Sequence, residues 1–134
     1  MSELSPVLKE QLQAALTRFD ALHAILVSTV EGVPLLQVAA PEPALPYDFA
    51  ETVLPTVFAG AAEQIGKLRF GQVKSVTSFF GDELVLLHVN DVPIVLTLVA
   101  AASAQIGALR AMAEQLKDAL APLKKCVENA DAGH

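Results

Sequence analysis

Cysteine is nearly absent from this sequence. Cys126 stands alone among 134 residues, so no internal disulfide can form, and a reducing compartment is expected. Cationic residues are few and scattered. Nine Lys and Arg against 15 Asp and Glu leave a net charge of −6, and the densest cationic spot is Lys124-Lys125. Electrostatic recognition of nucleic acid needs a clustered basic face, so no nucleic-acid partner is expected. No apolar run reaches the roughly 20 uninterrupted residues of a membrane-spanning helix; the longest is broken by Asn90-Asp91. The first residues, Met1 to Pro6, lack a positive n-region and an apolar h-region, so no secretory signal is expected. Gly is missing from position 2, and the last residues are Asp131-Ala132-Gly133-His134. Myristoylation and prenylation signals are thus lacking. The expectation is a chain with no direct membrane insertion, held at any membrane by something else.

The motifs that carry chemistry are also missing. A phosphate-cradling loop needs Gly-x4-Gly-Lys-Ser/Thr; Gly60 to Lys67 comes nearest, but Leu68 occupies the hydroxyl position and the segment reads as helix. His23, His88 and His134 are far apart and Cys126 has no companion, so no metal cluster is expected. His88 lies in an apolar strand and reads as a packed histidine with a satisfied nitrogen. Ser28 and Ser75 are ordinary strand residues, and Cys126 falls on an amphipathic helix as a packing residue. The acids sit at turns (Glu31, Asp82, Asp91), at element ends or on helix backs, where solvation accounts for them. The expectation is a protein that is not an enzyme, with no catalytic, cofactor-binding or metal-binding residues.

What is present is apolar. Hydrophobic residues make up 53% of the chain and charged residues 18%, which excludes a disordered chain and suggests that some apolar surface meets a partner. The length suits one domain over residues 1–134, with a core at about 5–128 and a frayed tail from Asn129. Ser5 and Pro6 open a helix whose stripe is Leu8, Leu12, Leu16 and Phe19. Leu22–Thr29, the turn Val30-Glu31-Gly32 and Val33–Ala39 read as a hairpin, with Pro34 placing its second strand at a sheet edge. Pro41, Pro43 and Pro46 make a loop. A second helix follows, capped at Asp48 or opened at Pro55. Leu54, Val57, Phe58, Ala61, Ile65 and Leu68 share one of its faces. Thr56, Ala59, Gly60, Glu63 and Lys67 form its back, either solvated or open to another helix.

Gln72 to Phe80 reads as a third strand, turned by Gly81-Asp82 into a hairpin of Leu84–Val89 and Val92–Val99, with Asn90-Asp91 as the turn. Both residue parities of that hairpin are apolar, so both sheet faces must be covered. Ser103 caps a last helix with the stripe Ile106, Leu109, Ala113, Leu116 and Leu120, which Pro122 kinks or ends. The order is α-β-β-α-β-β-β-α: an α+β sandwich in which one five-stranded antiparallel sheet carries helices on both faces. After Lys74 the third strand has no charge and no proline, the usual guards of a free edge.

Several stretches together resemble the roadblock/LC7 family, most closely the MAP kinase scaffold subunits of Ragulator complexes. They are Leu22–Ser28 with Glu31-Gly32-Val33-Pro34, Gln64 to Leu68, Val92-Pro93-Ile94-Val95, Ala101-Ala102-Ser103-Ala104 with Gly107, and Leu120-Ala121-Pro122-Leu123. They span about residues 7 to 128. The proline-rich loop before the second helix departs from the animal pattern. The resemblance implies a sheet between one helix and a pair of helices, and dimerisation through the third strand and second helix. Here the implied partner interface is Thr56, Gly60, Glu63, Lys67, Val73, Ser75, Thr77 and Phe79. The implied partners are a second roadblock-domain subunit, a lipidated membrane-anchoring subunit, Rag GTPases and MAP kinase pathway kinases. The implied place is the cytosolic face of late endosomes and lysosomes, and the implied role is scaffolding of mTOR and MAP kinase signalling. The alternative within the family is a homodimeric regulator of a small GTPase, for which Arg69, just past the second helix, is the exposed arginine.

Overall fold

A computed structural model of the protein describes residues 4–41 and 54–132 (backbone alone for Leu54, Pro55, Asp131 and Ala132). Pro43, Pro46 and Asp48 lie outside the described residues. The elements run α1 (Leu4–Arg18), β1 (Leu22–Thr29), β2 (Pro34–Ala39), α2 (Leu54–Gly66), β3 (Ser75–Phe80), β4 (Leu84–Asp91), β5 (Ile94–Ala101), α3 (Ile106–Ala119) and α4 (Ala121–Ala132). The strands form one antiparallel sheet in the order β2-β1-β5-β4-β3. Pro34, at the start of β2, is indeed on an edge, since a residue without an N–H cannot serve an interior ladder.

The two-sided apolar pattern of β4 and β5 is used as its parity demands. Val85, Leu87 and Val89 join Leu96, Leu98 and Ala100 in the larger core. Leu8, Leu12 and Leu16 of α1, Leu109, Ala113 and Leu116 of α3, and Leu123 of α4 cover it. Leu86 and Val99 join Ala24 and Leu26 on the opposite face. That face carries α2, which packs against β1, β3 and β5.

Four local readings change. First, the central turn is Val92-Pro93, not Asn90-Asp91: Asn90 pairs with Val95 and Asp91 with Ile94, so β4 keeps both residues. The Val92–Pro93 peptide bond is cis, the geometry of a turn with proline at its third position. Second, Ser103 does not cap α3. The chain turns first, with Ala104 N–H donating to Ala101 O, and the N-cap is Gln105, which makes no side-chain cap bond. Third, α3 ends at Ala119 and Pro122 opens a separate α4, since a helix's first turn has no use for the missing N–H. The observed order therefore has one helix more than the sequence pattern suggests, and α4 runs past Asn129 to Ala132. Fourth, β3 begins at Ser75, so Gln72, Val73 and Lys74 are its lead-in and not part of it.

Candidate partner interface

β3 pairs with β4 alone and forms the second sheet edge. In its antiparallel register, Val76 faces His88, Ser78 faces Leu86 and Phe80 faces Leu84. Asn90 N–H donates to Lys74 O, and Glu83 N–H donates to Phe80 O. The even-numbered residues therefore spend their backbone groups on β4. By alternation, Ser75, Thr77 and Phe79 turn their N–H and C=O groups outward. Six residues, Ser-Val-Thr-Ser-Phe-Phe, hold this edge with no charge and no proline, the composition of a strand that pairs.

Large apolar side chains are exposed on the edge and in the connection from α2. Phe79 is 61% exposed and Phe80 about half. Phe70, in the connection from α2, is 92% exposed, and Leu68 is 62% exposed. Scattered exposed apolar residues are ordinary, but two adjacent phenylalanines exposed on an open edge mark an interaction surface. The stripe expected to bury α2 is only partly used. Phe58 is buried, with its ring centroid 6.4 Å from that of His88, while Ile65 and Leu68 are exposed. The side of α2 turned inward runs through Phe58 and Ala62. Between it, the β3 lead-in and the β4–β5 turn lies an apolar cavity of about 510 Å³, reaching Val73, Asn90 and Val92.

The expected interface residues fall into two groups. Thr56, Gly60 and Glu63 are exposed on α2, although Glu63 also lines the cavity, whereas Lys67, expected on the back of the helix, is exposed in the turn just past its end at Gly66. An added Cβ at Gly60 would meet nothing within 4 Å, so the chain itself does not require glycine there. Ser75, Thr77 and Phe79 share the outward side of the edge. Val73 differs, because it precedes the strand and its carbonyl accepts a hydrogen bond from Asn90 Nδ2 at 3.1 Å. Phe70, Phe80, Ile65 and Leu68 were missed as surface residues. Their apolar character was visible, but their exposure depends on where neighbouring elements stop. Arg69 is exposed and has φ 59°.

Two polar features support the elements that carry this surface. His88 is fully buried in β4; its Nδ1 shares a 3.0 Å hydrogen bond with Thr97 Oγ1, and its Nε2 has no partner among the described residues. Burial without a charged partner pushes its pKa down to about 4. Asp91, expected as a solvated turn acid, instead accepts a hydrogen bond from Lys124 Nζ at 2.9 Å, which ties α4 to the tip of β4. That bond raises the Lys124 pKa. Among the described residues no group of three or more His, Cys, Asp and Glu could hold a metal ion, and no helix is long and apolar enough to cross a membrane.

The fold and its open edge define the class. The structure matches a roadblock/LC7 domain from Streptomyces avermitilis with a TM-score of 0.71 at 16% identity, covering 86% of this chain and 95% of that one. It matches the gliding protein MglB of Thermus thermophilus with a TM-score of 0.75 at 20% identity, covering 91% of each chain. This is a roadblock/LC7 fold. The sequence narrows it further. Residues 7–127 match the model of the mitogen-activated protein kinase kinase 1 interacting family, and the chain belongs to that family. Relatives include the Ragulator complex protein LAMTOR3-B of Xenopus laevis, 36% identical over 90% of this chain and 96% of its own length. The human Ragulator complex protein LAMTOR3 is 34% identical over 90% of this chain and 95% of its own length.

Proposed function

We propose that this chain is a non-catalytic scaffold subunit of a Ragulator-like complex. It pairs through β3 and α2 with a second roadblock-domain subunit. A lipidated subunit holds the pair at the cytosolic face of late endosomes or lysosomes. There the assembly supports Rag GTPase and mTOR signalling and MAP kinase signalling. The observation that carries the pairing is the unguarded edge: three outward-facing backbone positions, Ser75, Thr77 and Phe79, flanked by exposed phenylalanines. A neighbouring strand satisfies such groups at no cost in new folding, extending one sheet across two subunits. Thr56 and Gly60 are exposed on α2 and Lys67 just past its end, and the open space at Gly60 supports close approach of a partner there. The Ragulator assignment rests on relatives of about one-third identity over nearly their whole length.

The test is affinity purification from the native cells, with the composition and stoichiometry of the recovered complex measured by mass spectrometry. One copy of a second roadblock-domain protein per copy of this chain is expected, with a lipid-modified protein. Recovery of this chain alone would overturn the assignment.

A further inference from the structure

The helices on the sheet face opposite α2 are not held equally. α3 buries Leu109, Ala113 and Leu116, and it packs on α1, β4 and β5. Among its described side chains α4 buries only Leu123, with Val127 half-buried against the same core cluster. Its described side chains from Glu128 onward are all exposed. α4 lies closest to α3, the helix it follows, and no strand lies as near to it. The junction between the two is suited to bending. Leu120, 1% exposed, is the last residue anchored by α3. Pro122 has no N–H to bond back to α3, and Lys124 N–H donating to Leu120 O begins α4 anew. One ion pair ties α4 to the sheet among the described residues. Lys124 Nζ donates to Asp91 Oδ1 at 2.9 Å, and both side chains keep part of their surface in solvent. Asp91 ends β4 opposite Ile94, and Ile94 belongs to the cluster that holds Leu123.

We propose that α4 is a hinged strap with the Lys124–Asp91 ion pair as its latch. It swings away at Leu120–Pro122 while the sheet, α1 and α3 stay folded. Little apolar area opposes the motion, because one leucine and part of one valine leave the core. An element with so few buried contacts opens at a lower free energy than the whole domain unfolds. The ion pair then decides how often it opens, since it joins α4 to a strand that stays in place. Opening bares Leu123, Val127 and the part of the core cluster they cover. The device is separate from the proposed pairing edge and does not depend on it.

The test is native-state amide hydrogen exchange on the full-length protein, resolved by residue with NMR. The amides of Lys124 to Val127 should exchange faster than those of Ala113 to Leu116 in α3. Asp91→Asn and Lys124→Gln should each speed exchange in α4 about threefold, the loss expected of a partly exposed ion pair. Exchange in α3 and β5 should not change. The double variant should match the single ones, because either substitution already breaks the same link. Equal protection of α4 and α3 in the unsubstituted protein would overturn the proposal, since α4 would then open only with the whole domain. Unchanged α4 exchange in both variants would overturn the latch. Faster exchange in α4, α3 and β5 alike would mean a general loss of stability, and acceleration confined to residues beyond Glu128 would mean fraying of the helix end. Either result would also overturn it.

Discussion

At the scale of single residues, His88 is the most informative position. Its ring is buried in β4 beside Thr97 and Phe58, and its pKa is lowered from 6.5 to about 4. The unfolded chain therefore binds a proton between these values and the folded chain does not. Stability from the neutral ring is complete above pH 6.5 and declines as the pH falls toward 4. Between pH 7 and pH 5 the loss from this residue is about 2 kcal/mol. Urea unfolding at the two pH values measures it. His23, also lowered by burial, acts in the same direction. In His88→Leu the pH slope should flatten, even though Thr97 loses its partner and absolute stability falls. An unchanged slope would show that His88 does not carry the effect.

At the scale of elements, β3 and α2 each allow a substitution that separates folding from pairing. Thr77 stands opposite Leu87 in a pair whose backbone groups do not bond each other. Thr77→Pro removes an outward donor and no bond to β4, so under the proposed pairing the monomer should fold while partner binding weakens. Circular dichroism and sedimentation velocity read the two effects, and an unchanged complex would rule out β3 as the interface. On α2, Gly60→Ala should stabilise the isolated chain by about 0.5–1 kcal/mol, since glycine is a poor helix former and an added Cβ meets nothing within 4 Å. The same change should weaken pairing if α2 approaches its partner closely there. Opposite signs in thermal melting and in affinity are the expected result. The helix register itself was only partly legible. A stripe through Ala61 and Ile65 is as apolar as one through Phe58 and Ala62, and which one turns inward is decided by the ring of His88 and the sheet beneath it.

At the scale of the whole molecule, the apolar surface is distributed unevenly. One sheet face is closed by α1, α3 and α4, whereas the β3 edge and the end of α2 leave Ile65, Leu68, Phe70, Phe79 and Phe80 in solvent. The isolated chain should therefore self-associate as its concentration rises and bind an apolar dye such as ANS. Adding the partner subunit should suppress both. Phe79→Asp should reduce self-association and dye binding of the isolated chain and also weaken the complex. Light scattering and ANS fluorescence would check these together.

The sequence by itself determined the strands, their two-sided burial and the edge position of β2. Those follow from side-chain parity and from proline's missing N–H, which act within a few residues. It also carried the family, because matching stretches recur in order from Leu22 to Leu123. Only the tertiary structure decided the Val92-Pro93 turn, the separate α4, the Asp91–Lys124 link and the exposed phenylalanines. The physical reason is range. Asn90-Asp91 is a good local turn sequence, but pairing of Asn90 with Val95 and of Asp91 with Ile94 holds both residues in the sheet. Lys124 meets Asp91 across 33 positions, a separation at which no local pattern operates. Exposure of Phe70 and Phe79 is likewise set by where α2 and β4 end, and no residue's own chemistry encodes that.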